Sequence, residues 1–420
     1  MSSFKISGGQ KLTGIISVGG AKNAALKILP AAILANSPSV IHNVPKILDI
    51  EKMVDILRSI GAKIEFEGNT IKIDPVGVNS SHPDEKLIKK LRGSIVLVGA
   101  LLSKFGQAVF SEPGGCLIGA RPIDDHLDVF AQLNVASNYE DNRYYFSGKP
   151  IAGEIVLKAM SVTATENAIL ASVLSSGITK IHVAAAEPEI ADLAEYLNKM
   201  GANIEGAGTH DITVKGVSSL RGVEHTVLPD RIEAGTYVIA AIASNSDLEI
   251  GPIIPEHLSL VLKKLKDVGG KIEVIEKDGC KYFKTLRHEG LMAQNIDTRP
   301  YPGFPTDLQS PYAILMTQAK GQARIFETIF EGRFRYLEEL TVMRADIDIL
   351  NPHEFVINGP TKLRGTDITS RDIRGGAALV IAALIADGET QIDGIELIDR
   401  GYEQIDEKLR KIGAKIERID

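Results

Sequence analysis

Along the chain, one arrangement of apolar and polar positions returns six times. A stripe of leucine and isoleucine at helical spacing runs beside Lys, Arg, Asp and Glu, then gives way to a small residue and a period-two alternation. The clearest copies run from Asp55 through Gly61 to Ile64 and from Asp406 through Gly413 to Ile416. Leu197 to Ile204 and Leu265 to Ile272 repeat the arrangement around Gly201 and Gly269, and two degenerate copies put Asn134 and Arg344 at the small-residue position. Between 61 and 413 the six positions are spaced by about 70 residues. Each copy predicts an amphipathic helix closed by a residue in the left-handed conformation, which glycine adopts cheaply and asparagine tolerates. Arginine does not, so the helix before Arg344 is expected to close differently. The alternation that follows, as in Lys63 to Ile73 with Gly68 and Asn69 at its middle, predicts a hairpin with one wet face.

A second segment keeps step with the first. It is an apolar helix of small and branched residues opened by a polar one. Lys22, Arg92, Glu166, Glu233, Asp307 and Arg374 mark the openings, at intervals of 70, 74, 67, 74 and 67. Ala377 to Leu384 is hydrophobic nearly all round, and a helix of that kind is expected to be buried on every side. Each unit therefore reads as strands, a buried helix, more strands and an amphipathic helix. The predicted fold class is α/β, with six β-α-β units forming two domains of three. Buried helices running parallel inside a ring of sheets would gather their N-termini, whose unpaired N–H groups and partial positive charge suit an anion.

Composition narrows the class. The net charge of -7 and the absence of any basic run of five argue against a nucleic-acid partner. No uncharged apolar run reaches about 18 residues, so no membrane span is expected. The first residues lack the apolar core of a signal peptide. Two cysteines, Cys116 and Cys280, give no disulfide framework and fit a reducing compartment. The expectation is a cytoplasmic globular protein. There is no P-loop, no Rossmann glycine spacing and no metal-binding signature, so neither cofactor nor metal is expected.

Four cations at the openings of buried helices, Lys22, Arg92, Arg231 and Arg374, stand where the helix dipole opposes them. One would mean little; four point to a polyanionic ligand. Asp307, in Phe304-Pro-Thr-Asp-Leu-Gln, is either a helix cap or a base among those cations. Cys116 lies in Pro113-Gly-Gly-Cys-Leu-Ile-Gly-Ala-Arg121-Pro, where loop glycines and a nearby arginine favour the thiolate, although a lone cysteine is also commonly a small buried hydrophobe. Cys280 sits on a predicted hairpin turn and receives no role.

Six stretches together, in order and across the whole chain, resemble the UDP-N-acetylglucosamine enolpyruvyl transferases. They are Gly20-Ala-Lys22-Asn23-Ala-Ala, the Cys116 loop, Glu187-Pro-Glu-Ile, Leu228-Pro-Asp-Arg-Ile-Glu-Ala-Gly-Thr, Phe304-Pro-Thr-Asp307-Leu-Gln and Ile398-Asp-Arg400-Gly-Tyr-Glu. The resemblance implies two inside-out α/β barrels, residues 22–230 and residues 1–21 with 231–420, a double hinge near 21 and 230, and an active site in the cleft between. It implies transfer of the enolpyruvyl group of phosphoenolpyruvate to the sugar 3-hydroxyl through a tetrahedral ketal, the first committed step of peptidoglycan synthesis. By the same resemblance Cys116 protonates the methylene carbon and is the fosfomycin target, and Asp307 takes the hydroxyl proton. Lys22, Asn23, Arg121, Arg374 and Arg400 hold phosphoenolpyruvate, with Lys22 and Arg400 counted as catalytic. Asn23, Arg92, Arg121, Pro122, Ile123, Asp124, Asp125, Ser161, Val162, Asp307 and Ile329 contact the sugar nucleotide. The expected state is a monomer.

The chain departs from the usual family pattern at Thr163, where a glycine is usual, at Gly332 and Arg344, and at Val96, where a tryptophan is often found. Two rival readings are the related 5-enolpyruvylshikimate-3-phosphate synthase, which has no matching cysteine, and a paralogue that binds the sugar nucleotide without catalysis. A repeat-protein scaffold would explain the repeats but not the cations.

Overall fold

The computed structural model describes residues 2–114 and 122–419. They divide into two compact units, 20–114 with 122–228 and 2–19 with 229–419. Each is an inside-out α/β barrel built from three copies of one motif, with helices within and sheets around them.

In the unit spanning 20–228 the interior helices are Lys22–Ala32, Leu97–Phe105, which continues a 3₁₀ turn Arg92–Val96, and Val162–Ser172. Their apolar residues leave no wet face, and burial all round is the only arrangement that removes them from water. Asn167 donates to the Ile95 carbonyl at 3.1 Å and accepts the Gly99 N–H at 2.7 Å, which sets the second and third helices side by side. Only glycine fits at 99, because a Cβ there would lie 2.6 Å from Asn167 Oδ1. Outside lie the sheets. Strands Glu224–Thr226, Ser39–His42, Thr70–Asp74 and Lys63–Glu67 form one, the first pair parallel and the rest antiparallel. Asn203–Glu205, Asp211–Lys215, Ile178–His182 and Glu154–Val156 repeat it. The third sheet, Gln107–Ser111, Arg143–Ser147 and Ala136–Glu140, has three strands; a single bond from Val109 N–H to the Ser81 carbonyl stands in for the fourth.

The other unit holds the helices Arg231–Ala243, Gln309–Met316 and Ile373–Ile385, the second preceded by a 3₁₀ turn Thr306–Leu308. Its three sheets keep the same parallel-then-antiparallel order. In one of them Ser3–Ser7 lies between Glu389–Asp393 and Lys415–Ile419, the place a hairpin strand fills elsewhere. Thr13–Ser17 runs parallel to Asp247–Ile253.

Two expectations are corrected. Arg344 takes the left-handed conformation after all, at φ 73°, like Gly61, Asn134, Gly201, Gly269 and Gly413. Its N–H bonds the Thr341 carbonyl and that of Ala345 bonds Leu340, the same closure seen at Gly61 and Ala62. Two carbonyls satisfied and a buried Ala345 outweigh the strain of about 1–2 kcal/mol. Glu166 does not open its helix: the first turn is Val162 to Thr165, so Glu166 lies in the second turn, with no exposure at all.

Candidate active site

Each unit carries a cluster of predicted site residues at the starts of its buried helices. In the unit 20–228, Lys22 is the first residue of Lys22–Ala32, a helix without a side-chain cap. The residue is buried, at 8% exposure, and its ammonium lies 3.4 Å from Asp49, itself in the first turn of Leu48–Ser59. The repulsion of a cation by the helix start is thus offset within the protein by a carboxylate. Asn23 follows, half-buried, and its carbonyl accepts from Lys27 Nζ at 3.1 Å. Arg92 begins its 3₁₀ turn and donates to the Pro113 and Pro122 carbonyls at 3.2 and 3.3 Å.

Ile123, buried, precedes the helix Asp124–Gln132, which starts on exposed Asp124 and half-buried Asp125. Ser161 and Val162 begin the third interior helix, both half-buried, and Ser161 does not cap it with its side chain. A residue not singled out from the sequence joins these two stretches. His126 Nδ1 lies 2.8 Å from Asn167 Nδ2, and its Nε2 lies 3.1 Å from Thr163 Oγ1. With Asn167 Oδ1 engaged by Gly99, its amide nitrogen must donate to Nδ1, so Nε2 carries the hydrogen and donates to Thr163. The threonine that replaces a usual glycine therefore bonds to the neighbouring helix start.

The second cluster surrounds Asp307, which lies in the 3₁₀ turn before Gln309–Met316. Arg333 Nη2 donates to Oδ1 at 2.6 Å, while Arg374 places Nε at 3.0 Å and Nη2 at 2.9 Å from Oδ2. Both guanidiniums are buried, at 5% and 4% exposure. Burial works against the charge of Arg374, but Asp307, then Tyr402 and Asp230, outweigh it and hold its pKa above the ordinary value. The same guanidinium lies over the Tyr402 ring, 5.2 Å from its centroid, and Nη1 is buried with no hydrogen-bond partner among the described residues. Arg400 is buried in the turn next to it, since a Cβ on Gly401 would lie 3.8 Å from Arg374 Nη1. Ile329, partly exposed, has its N–H held by the Glu327 carboxylate at 2.9 Å.

Arg231, at 9% exposure, lies over the Tyr301 ring, and Glu233 accepts from Gly19 N–H and Lys408 at 2.7 and 2.6 Å. Burial raises the Glu233 pKa against those donors. Cys116 and Arg121 lie outside the described residues. Cys280 is exposed beside the turn joining Lys271–Lys277 to Cys280–Leu286. Among the described residues no group of three His, Cys, Asp or Glu could hold a metal ion, and no helix is long and apolar enough to cross a membrane.

Buried guanidiniums bracketing a partly exposed carboxylate suit transfer of a group carrying phosphate and carboxylate charges. The comparisons agree. The model of the EPSP synthase (3-phosphoshikimate 1-carboxyvinyltransferase) family matches residues 6–409. The chain belongs to this family. Among its relatives, UDP-N-acetylglucosamine 1-carboxyvinyltransferase 3 of Caldanaerobacter subterraneus subsp. tengcongensis is 44% identical over 420 residues, all of both chains. UDP-N-acetylglucosamine 1-carboxyvinyltransferase 2 of Bacillus subtilis is 42% identical over all of this chain and 97% of its own. In structure, the enolpyruvyl transferase NikO from Streptomyces tendae superposes with a TM-score of 0.89 at 25% identity, covering 99% of this chain and 98% of its own. EPSP synthase from Acinetobacter baumannii covers 100% of both chains with a TM-score of 0.75 at 17% identity, a likeness of fold. In this family member, Arg333 carries no mark in the sequence beyond its place next to Gly332. Nothing in the spacing of residues 307, 333 and 374 announced that they meet.

Proposed function

We propose that this chain moves the enolpyruvyl group of phosphoenolpyruvate to the 3-hydroxyl of UDP-N-acetylglucosamine and releases phosphate. One observation carries the reading: full-length identity of 42–44% with relatives named for that acceptor, against 17% with EPSP synthase. The hydroxyl oxygen adds to C2 of phosphoenolpyruvate while a proton joins C3, giving a tetrahedral ketal. Loss of a proton from the new methyl group and of phosphate from C2 then restores the double bond.

In this reading Asp307 takes the hydroxyl proton and Cys116 delivers the proton to C3. Lys22, Asn23, Arg121, Arg374 and Arg400 hold the donor. Asn23, Arg92, Arg121 to Asp125, Ser161, Val162 and Ile329 hold the sugar nucleotide. Two features of the Asp307 cluster support it. Arg374 keeps its buried Nη1 out of the grip on Asp307, where it can turn to a phosphate or carboxylate oxygen. Asp307 has both oxygens on guanidiniums, so its lone pairs are engaged while those donors stay in place. A donor anion that draws Nε and Nη2 of Arg374 onto itself releases Oδ2, so donor binding prepares the base.

The reading places the reaction at the opening of peptidoglycan synthesis, in a cytoplasmic monomer that fosfomycin inactivates through Cys116. It includes no metal, cofactor, nucleic acid or membrane. The test is phosphate release from phosphoenolpyruvate with UDP-N-acetylglucosamine and with shikimate-3-phosphate, side by side. Release with the sugar nucleotide alone is expected. Release only with shikimate-3-phosphate transfers the chain to the rival reaction, and silence with both leaves a binding protein.

A further inference from the structure

We propose that Glu327 is a positioning residue that sets both Asp307 and the turn carrying Ile329, an inference that rests on the roles just given to those two. Glu327 follows the strand Gly321–Phe326 and has no exposure to solvent. A carboxyl group so buried is costly unless its oxygens find donors. Here four converge. Thr306 Oγ1 donates to Oε2 at 2.7 Å; Thr298 Oγ1, Ile329 N–H and Phe330 N–H donate to Oε1 at 2.9, 2.9 and 3.1 Å. The backbone of Glu327 is itself fixed from both sides, its N–H on the His353 carbonyl and its carbonyl beside His353 Nδ1.

The two oxygens serve two arms. On the Oε2 arm, Thr306 spends its only hydroxyl hydrogen on Glu327, so its lone pairs are what remain for Arg333 Nη1 at 2.6 Å. That bond fixes the guanidinium whose other nitrogen grips Asp307 Oδ1. Glu327 thereby sets Asp307 at two removes, through a chain whose direction has no alternative. On the Oε1 arm, it holds consecutive N–H groups of Ile329 and Phe330, while Thr298 accepts the Thr328 N–H at 2.9 Å and closes the turn. A glutamine at 327 keeps the shape but turns one arm from acceptor to donor.

The arms separate by mutation of the full-length protein. Thr306→Val cuts the Oε2 arm and is expected to lower kcat about tenfold or more, with both KM values within about threefold. Thr298→Val cuts the Oε1 arm and is expected to raise the KM for UDP-N-acetylglucosamine about fivefold, with kcat near that of the parent. Glu327→Gln should do both, and should speed hydrogen exchange at the Ile329 and Phe330 amides about tenfold. Thermal midpoints that fall while kcat and KM stay put would show a structural role only and overturn the proposal. So would the same kinetic change in Thr306→Val and Thr298→Val. The exchange measurement needs no substrate: if the parent releases phosphate with neither acceptor, the transferase reading fails, and unchanged exchange in Glu327→Gln still decides against Glu327.

Discussion

Asp307 in one unit, in the turn that precedes its buried helix, and Glu166 in the other, in the second turn of its own, are carboxylates that face cations, yet their surroundings differ. Asp307 keeps a quarter of its side chain exposed and has a guanidinium on each oxygen. Glu166 is wholly buried, has the single ammonium of Lys27 at 3.1 Å from Oε2, and lies near two further carboxylates, Glu187 and Glu189. Burial first, and those carboxylates after it, raise its pKa to about 7 against the pull of Lys27. Surplus positive charge at a partly open place suits an anion, which is what the proposed reaction brings there. A lone amine in a closed core gives a pair that only just remains charged at neutral pH. Similar ingredients thus give a partly open, doubly bracketed carboxylate in one unit and a pH-sensitive buried pair in the other.

The largest effect expected from breaking this contrast is on turnover. Asp307→Asn keeps one acceptor oxygen for the guanidiniums but cannot take a proton, and kcat should fall about 10²–10⁴-fold. The circular dichroism spectrum should stay as in the parent. A loss smaller than about tenfold would remove Asp307 from the proton transfer.

The next effect is on stability and carries a sign in pH. Because the Glu166 pKa is raised from 4.5 to about 7, the folded chain keeps a proton that the unfolded chain has already lost. Stability from this group is therefore full below about pH 4.5, falls as pH climbs to about 7, and is level above, a change on the order of 3 kcal/mol. Lys27→Met should sharpen that fall. At pH 8 it strands a buried carboxylate and should cost about 3–5 kcal/mol. At pH 6 Glu166 is protonated and asks for no cation, so the cost should drop to about 2 kcal/mol or less. Urea unfolding of parent and variant at both pH values reads this directly. Equal losses at the two would mean that Lys27 contributes packing rather than charge.

These two clusters also mark where the sequence stops being legible. The buried helices and their spacing show through because an all-apolar helix and a glycine-closed amphipathic one leave periodic traces. Lys22, Asp307 and Arg374 show through by residue type at helix starts. The Arg333–Asp307–Arg374 bracket does not, since its bonds span 26 and 67 residues and depend on how three copies pack. Glu166 misleads for a local reason: Val162, Thr163 and Ala164 open their helix without a polar cap, so the first charged residue looks like its start. His126 leaves no trace, because one histidine on an amphipathic helix is ordinary until Asn167 and Thr163 stand beside it.

The smallest effect compares the two units at their helix ends. Asn134 in one and Arg344 in the other hold left-handed positions, at φ 62° and 73°, that glycine fills in the remaining four copies. Asparagine's short polar side chain tolerates this region, so Asn134→Gly should change stability by only about 0.3 kcal/mol. Arginine has no such allowance. Its side chain is exposed and makes no hydrogen bond or ion pair among the described residues, so its removal forfeits nothing. Arg344→Gly should relieve about 1–2 kcal/mol of backbone strain and give back about 0.4–1 kcal/mol to the freer unfolded chain. The net gain, about 0.5–1 kcal/mol, should appear as a higher urea midpoint with an unchanged slope. A lower midpoint would mean that the Arg344 side chain stabilises the helix end in a way its exposed position does not suggest.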